Sequence, residues 1–231
     1  MLLIYRRIDF LTESQKTRFV HALSDAELEH AIESFRRFPE LVAELTHDLI
    51  IIESEIAFSE RILDTLTATG PGQYWPSPDD TRSELDTLAP PYRYDSVFIL
   101  WPQSNLTTGS LIPSAGWGLA IAAGSWSNWA TYATVANARS ATWRVPRLGE
   151  VWLHEWLHGV CAFFADRGFS MPAGDADGGG RHGYEQSPVS GWTEYYRDLM
   201  TGNVLENGRR LGIPLEAWPS WGSAARIGNS Q

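Results

Sequence analysis

The chain has 231 residues, 43% of them hydrophobic and 20% charged, with a formal net charge of −10. That length and composition suit one globular domain with a buried core, residues 1–231, and exclude a disordered chain. Charge is spread along the chain with no basic patch or arm, which excludes nucleic acid as an expected partner, and no apolar run reaches membrane-spanning length.

A single cysteine, Cys161, leaves no intrachain disulfide. That fits a cytoplasmic protein and equally a bacterial secreted one. The opening residues, MLLIYRRIDF, lack the order and length of a signal peptide. Secretion, with the leader outside this sequence, is expected slightly ahead of a cytoplasmic location.

In chain order, Leu2 to Tyr5 read as a short strand. Ser24 with Glu27 forms a capping box, and Leu28, Ala31, Ile32, Phe35 and Phe38 follow at helical spacing until Pro39, which is expected to stop the helix. His21 and His30 are expected on the surface or in packing. Leu49 to Ile52 form a β-branched apolar run continued by Ile56 and Phe58, most simply a buried strand, with a helix through Leu41–Leu66 as the alternative. Thr69-Gly70-Pro71-Gly72 breaks regular structure, and all 11 tryptophans lie beyond it. Ser77 to Leu88 read as a short acidic helix started by Ser77 and Asp80. Asp95 to Trp101, DSVFILW, is the clearest strand, ended by Pro102. Gly116 to Ala123 reads as another strand, in which glycine implies a bulge or a close backbone approach. Trp126, Trp129, Tyr132 and Val135 have mixed periodicity and receive no assignment.

Arg147 to Gly168, RLGEVWLHEWLHGVCAFFADRG, has the period of one helix. Val151, His154, His158 and Cys161 share a face, and Gly168 is placed to end the helix. Two imidazoles four residues apart on one face can grip one metal ion, and Glu155 is then positioned to act on water at that metal. Cys161 on the same stripe is expected to be a packing residue rather than a metal neighbour.

At His154-Glu155-Trp156-Leu157-His158 the chain resembles the zincin metallopeptidases, and the order of elements before the motif is similar to their N-terminal half. The resemblance implies an α+β, zincin-like fold: a twisted mixed sheet packed on the active-site helix, then a smaller helical and loop C-terminal part. These parts would cover about residues 1–168 and 169–231. It also implies an edge strand that pairs with extended substrate, for which Gly116–Ala123 is the candidate. Metzincins carry a glycine and a third histidine where this chain has Cys161 and Phe164, so that ligand set is absent. A gluzincin-like arrangement, with the third ligand further along, is the closer pattern.

Three residues are candidates for that ligand. His182, in a glycine-rich stretch flexible enough to fold back over the helix, is placed first. Glu194, on an expected following helix with Asp198 four residues later, is placed second. Asp177 is the third possibility. Asp198 is a candidate for orienting a ligand, and Tyr184, Tyr195 or Arg181 for donating to an oxyanion.

The expected function is a zinc-dependent metalloendopeptidase. His154, His158 and the third ligand would hold Zn²⁺, and Glu155 would serve as general base towards a peptide or protein substrate. The alternatives are a zincin-like zinc hydrolase of another class, or a tryptophan-rich binding module without catalysis. After Met200 the chain is rich in Gly and Pro with little periodicity and is expected to wrap the surface or end in disorder.

Overall fold

A computed structural model describes residues 1–12, 16–114, 118–124, 128–137 and 146–221. Gly116, Trp117 and Trp126 lie outside them. The strands are β1 (Leu2–Tyr5), β2 (Arg7–Leu11), β3 (Arg18–Ala22), β4 (Ile56–Ser59), β5 (Thr67–Gly70), β6 (Gln73–Trp75), β7 (Ser96–Trp101), β8 (Gly118–Ile121), β9 (Thr131–Ala136), β10 (Val204–Glu206) and β11 (Arg209–Leu211). The α-helices are α1 (Asp25–Leu45), α2 (Arg82–Leu88), α3 (Glu150–Ala165) and α4 (Thr193–Met200), and none among the described residues is long and apolar enough to cross a membrane.

The architecture is α+β around a five-stranded mixed sheet in the order β4-β1-β7-β9-β8. Four strands run parallel, and β8, at the edge, runs antiparallel to β9. Alternation along the inner strands divides the interior into two layers. Leu2, Ile4, Phe98, Leu100, Ala133 and Val135 face α1, α3 and α4. Leu3, Tyr5, Val97, Ile99, Trp101 and Tyr132 face the β2–β3 and β5–β6 hairpins and α2.

Because both faces are covered, β9 (TYATVA) is buried along its whole length. It therefore lacks the polar alternation that marks a half-exposed strand, which is why the sequence pattern left it unassigned. The two hairpins β2–β3 and β5–β6 are likewise additions to the expected order. The β5–β6 turn occupies the expected break at Gly70–Gly72.

Helix α1 begins at the expected capping box, with Ser24 Oγ accepting from Glu27 N at 3.2 Å. It does not stop at Pro39, however, and runs on to Leu45. A proline inside a helix costs about 3 kcal/mol. Phe38, Leu41, Val42 and Leu45 are all buried around it, and each large apolar side chain contributes roughly 1.5–3 kcal/mol, so burial wins. Leu49 to Ile52 correct a second expectation. They form neither a strand nor a helix, Leu49 and Ile51 are exposed, and the segment lines a cavity of about 760 Å³. The strand begins only at Ile56. The acidic helix also starts later than expected, at Arg82; Ser77 and Asp80 instead brace the turn before it, with Asp80 Oδ2 accepting from Ser77 N at 2.7 Å.

Helix α3 starts and ends close to the expected bounds, and Gly168, at φ 89°, terminates the turn after it. Its entry is pinned to α1. Ser34 Oγ accepts from both Gly149 N and Trp152 Nε1 at 3.2 Å. Gly149 sits at φ 91°, and a Cβ there would lie 2.9 Å from Phe38 N, so the close helix approach requires glycine. Phe35 and Phe98 meet Trp152 edge-on with centroids 5.1 and 5.9 Å away, and Phe38 meets Trp156 at 5.6 Å. This aromatic cluster, with the sheet behind it, fixes one face of α3 and leaves the face of His154 and His158 turned away from it.

The C-terminal part is more ordered than its composition implied. Tyr195, Tyr196, Leu199 and Met200 of α4 join the helix-side core, β10 and β11 form a hairpin, and Trp218 Nε1 donates to the Met200 carbonyl at 2.9 Å.

Candidate metal centre

One helical turn separates His154 from His158, so α3 presents both rings on its open face, with the two Nε2 atoms 3.2 Å apart. The glycine-rich stretch after α3 does fold back over this face, but it carries a different side chain there than the one expected. A 3₁₀ turn at Asp175–Asp177 brings Asp177 Oδ1 to 3.5 Å from His154 Nε2 and Oδ2 to 3.8 Å from His158 Nε2. Among the described residues, His154, His158 and Asp177 form the group whose donor atoms converge, all within 4.8 Å of one another.

The structure does not bring His182 or Glu194 into this group. His182 lies on the next 3₁₀ turn, Gly179–His182, where its Nε2 is 3.1 Å from the Ala173 carbonyl and its ring stacks on Tyr195. The glycines that were expected to make this loop flexible instead make it close-packed. A Cβ on Gly178 would lie 2.4 Å from the Tyr195 hydroxyl, and one on Gly179 would lie 2.6 Å from the Trp192 ring. That packing fixes the turn with Asp177 inward and carries His182 past the site. Glu194 is exposed on the first turn of α4. Asp198 does not reach a ligand histidine either; it accepts from Tyr184 Oη at 2.7 Å and from Arg197 Nε at 3.1 Å.

Two contacts of the site carried no usable signal in the sequence. Asp175 Oδ1 lies 2.6 Å from His158 Nδ1, and Tyr196 Oη lies 2.9 Å from His154 Nδ1. Asp175 and Asp177 sit two residues apart, and Tyr196 comes from α4, so only the folded turn reveals what they touch. Tyr195 supports the same turn by donating to the Asp175 carbonyl. Cys161 is fully buried in the helix-side core and is not one of the converging donors; burial, with Asp175 adding to it, pushes its thiol well above the usual range.

Glu155 is 5% exposed, and burial pushes its carboxyl up to about 8; Asp177 adds to the rise and His158 opposes it. Burial and the neighbouring His158 bring His154 down to about 4, against the pull of Asp177 and Asp175. Burial is the largest influence on His158 and would lower it, but the hydrogen bond to Asp175 together with the charges of Asp175, Glu155 and Asp177 outweighs it and the group is raised.

The donor set fits a divalent cation. Four ligands at the usual 2.0–2.1 Å around a tetrahedral zinc ion stand about 3.3 Å from one another, close to the separations found here. Two imidazoles and one carboxylate are also a known zinc donor combination.

The wall opposite Glu155 is β8. A Cβ on Gly118 would fall 2.0 Å from both Cδ and Oε1 of Glu155, so the backbone of the edge strand touches the carboxylate itself. This is the close approach that a glycine inside the expected strand implied. Further along, a Cβ on Gly159 would fall 3.2 Å from the Ile121 carbonyl, so strand and helix run side by side. Gly118→Ala is expected to displace the Glu155 carboxylate while leaving the ligands in place. Turnover of any substrate that depends on Glu155 should fall about 100-fold, the effect of roughly 1 Å of misplacement. Zinc content should match that of the wild type, and equal turnover in the two proteins would contradict the contact.

Comparison with models of known protein families, with characterised proteins and with solved structures finds no match. The functional reading therefore rests on the site itself.

Proposed function

We propose that this protein is a zinc-dependent metalloendopeptidase with a zincin-like fold. The observation that carries the reading is the convergence of His154, His158 and Asp177 donor atoms at metal-ligand separations, with buried Glu155 one residue after the first ligand. The mixed sheet, its antiparallel edge strand β8 and the motif helix α3 beside that strand support the fold assignment.

His154, His158 and Asp177 would hold the ion. Zinc would supply Lewis acidity there, polarising a carbonyl and lowering the pKa of water towards about 7. Glu155 accepts the proton of the attacking water and passes it to the departing amine. Its burial against Gly118 restricts where the carboxylate can sit. The outer edge of β8 offers backbone N–H and C=O groups to an extended peptide, and Gly118 lets that strand lie directly against Glu155. The tryptophans give little support to a sugar- or peptide-stacking module, because Trp101, Trp152, Trp156 and Trp218 are buried in the core.

The test is metal analysis coupled to cleavage of a mixed peptide library. The purified protein should carry about one zinc per chain. A chelator should abolish cleavage, and added Zn²⁺ should restore it. Cleavage that survives complete metal removal, or zinc-loaded protein that cleaves no peptide, would overturn the peptidase assignment.

A further inference from the structure

We propose that Asp175 and Tyr196 are positioning residues that fix the two ligand histidines with their Nε2 atoms towards Asp177. The inference rests on the metal-centre reading above and assigns roles to two residues that touch neither the ion's place nor a substrate.

A histidine can offer Nε2 as a metal ligand only when that nitrogen carries no proton, so the proton of the neutral ring must sit on Nδ1. An acceptor facing Nδ1 secures that tautomer and the ring plane together. Both rings have one. Asp175 Oδ1 lies 2.6 Å from His158 Nδ1 and Tyr196 Oη lies 2.9 Å from His154 Nδ1, each placed to accept the ring's Nδ1 proton. The acceptors differ in kind. Asp175 supplies a carboxylate, which also makes the His158 ring a stronger electron donor. Tyr196, which is buried, supplies a phenol hydroxyl, a neutral oxygen. The two ends of the site are therefore held unequally.

The turn that carries Asp175 has an unusual backbone. Gly174 sits at φ 90°, and Asp175 itself sits at φ 36°, in the left-handed region that non-glycine residues other than Asn and Asp rarely occupy. This conformation places two carboxylates from one short turn on opposite sides of the same imidazole: Asp175 at Nδ1 and Asp177 towards Nε2. The turn is held from outside by the Tyr195 hydroxyl on the Asp175 carbonyl and by close packing at Gly178. The left-handed position favours Asp, Asn or Gly over other residues, and the Asp that occupies it is aimed at a ligand ring.

The experiment measures binding of Zn²⁺ alone, by competition with a chromophoric chelator, in the wild type and in Asp175→Asn and Tyr196→Phe. Asparagine keeps the left-handed backbone, but its amide group can turn to His158 and favour the tautomer with the proton on Nε2. Asp175→Asn is expected to weaken Zn²⁺ binding 10–100-fold. Tyr196→Phe, which removes a neutral acceptor, is expected to weaken it about threefold to tenfold. Co²⁺ substituted into each protein gives a second readout. The visible ligand-field spectrum should shift in both variants, a change that a merely structural role would not produce. Thermal unfolding of the metal-free proteins checks that each variant folds, and Asp175→Ser serves if the asparagine variant does not. A wild type that holds Zn²⁺ while the variants match its affinity and its Co²⁺ spectrum overturns the positioning roles. A wild type that binds no Zn²⁺ overturns the metal centre itself.

Discussion

Glu155→Gln is expected to hold zinc as well as the wild type does and to lose peptide cleavage by 100-fold to 10,000-fold, the usual contribution of a positioned general base. Glutamine preserves the shape of a side chain that is 5% exposed and packed against Gly118, so the ligand turn should not move. The same variant has a consequence for stability in the metal-free protein. Burial raises the Glu155 carboxyl from 4.5 to about 8, so the folded state binds a proton that the unfolded chain has already released. The stability from this group is complete below about pH 4.5 and is lost as the pH rises through about 8, a decline on the order of a few kcal/mol. Urea unfolding across that range should show the decline in the metal-free wild type and a flatter profile in Glu155→Gln. Undiminished turnover in the variant would remove Glu155 from the mechanism.

Asp177→Ala is expected to weaken Zn²⁺ binding by at least about 100-fold, because it removes one of three ligands rather than a supporting hydrogen bond. Its side chain is 74% exposed, so the fold should be little affected. His182→Ala and Glu194→Ala form the decisive comparison, and both should retain zinc. Tight binding in Asp177→Ala together with loss in His182→Ala would mean that the loop closes differently around the ion from the arrangement seen here.

The helical half of the site was legible in the sequence because it depends on period alone. Residues 154 and 158 share a face in any helix, and the flanking run from Val151 to Phe164 left no other assignment reasonable. The third ligand was not legible, because it depends on which way a glycine-rich turn folds. The sequence shows glycines at 178, 179 and 180 and invites the inference of flexibility. In the structure two of them make room for the Tyr195 hydroxyl and the Trp192 ring, and that packing selects Asp177 over His182. Asp198, expected to orient a ligand, instead pairs with Tyr184, while Asp175 and Tyr196 occupy the orienting positions. In the fold, errors arose where burial overrode local preference. Pro39 stayed inside a helix anchored by aromatic packing, β9 hid its period because both of its faces are covered, and the apolar run at Leu49–Ile52 formed no strand.

All three converging donors come from α3 and the turn shortly after it, a span of roughly two dozen residues. Closing so short a loop costs only about 2–3 kcal/mol in chain entropy, so a bound ion would clamp a local unit rather than tie distant parts of the chain together. Glu155, the proposed general base, has a different dependence, because its carboxylate packs against the edge strand β8. On the proposed reading, metal retention would depend on α3 and the turn after it, and the aim of the base on the sheet edge. Loosening the sheet edge would leave a chain that still carries its ion and no longer aims its base, so metal content by itself is a poor measure of how much of the protein is active.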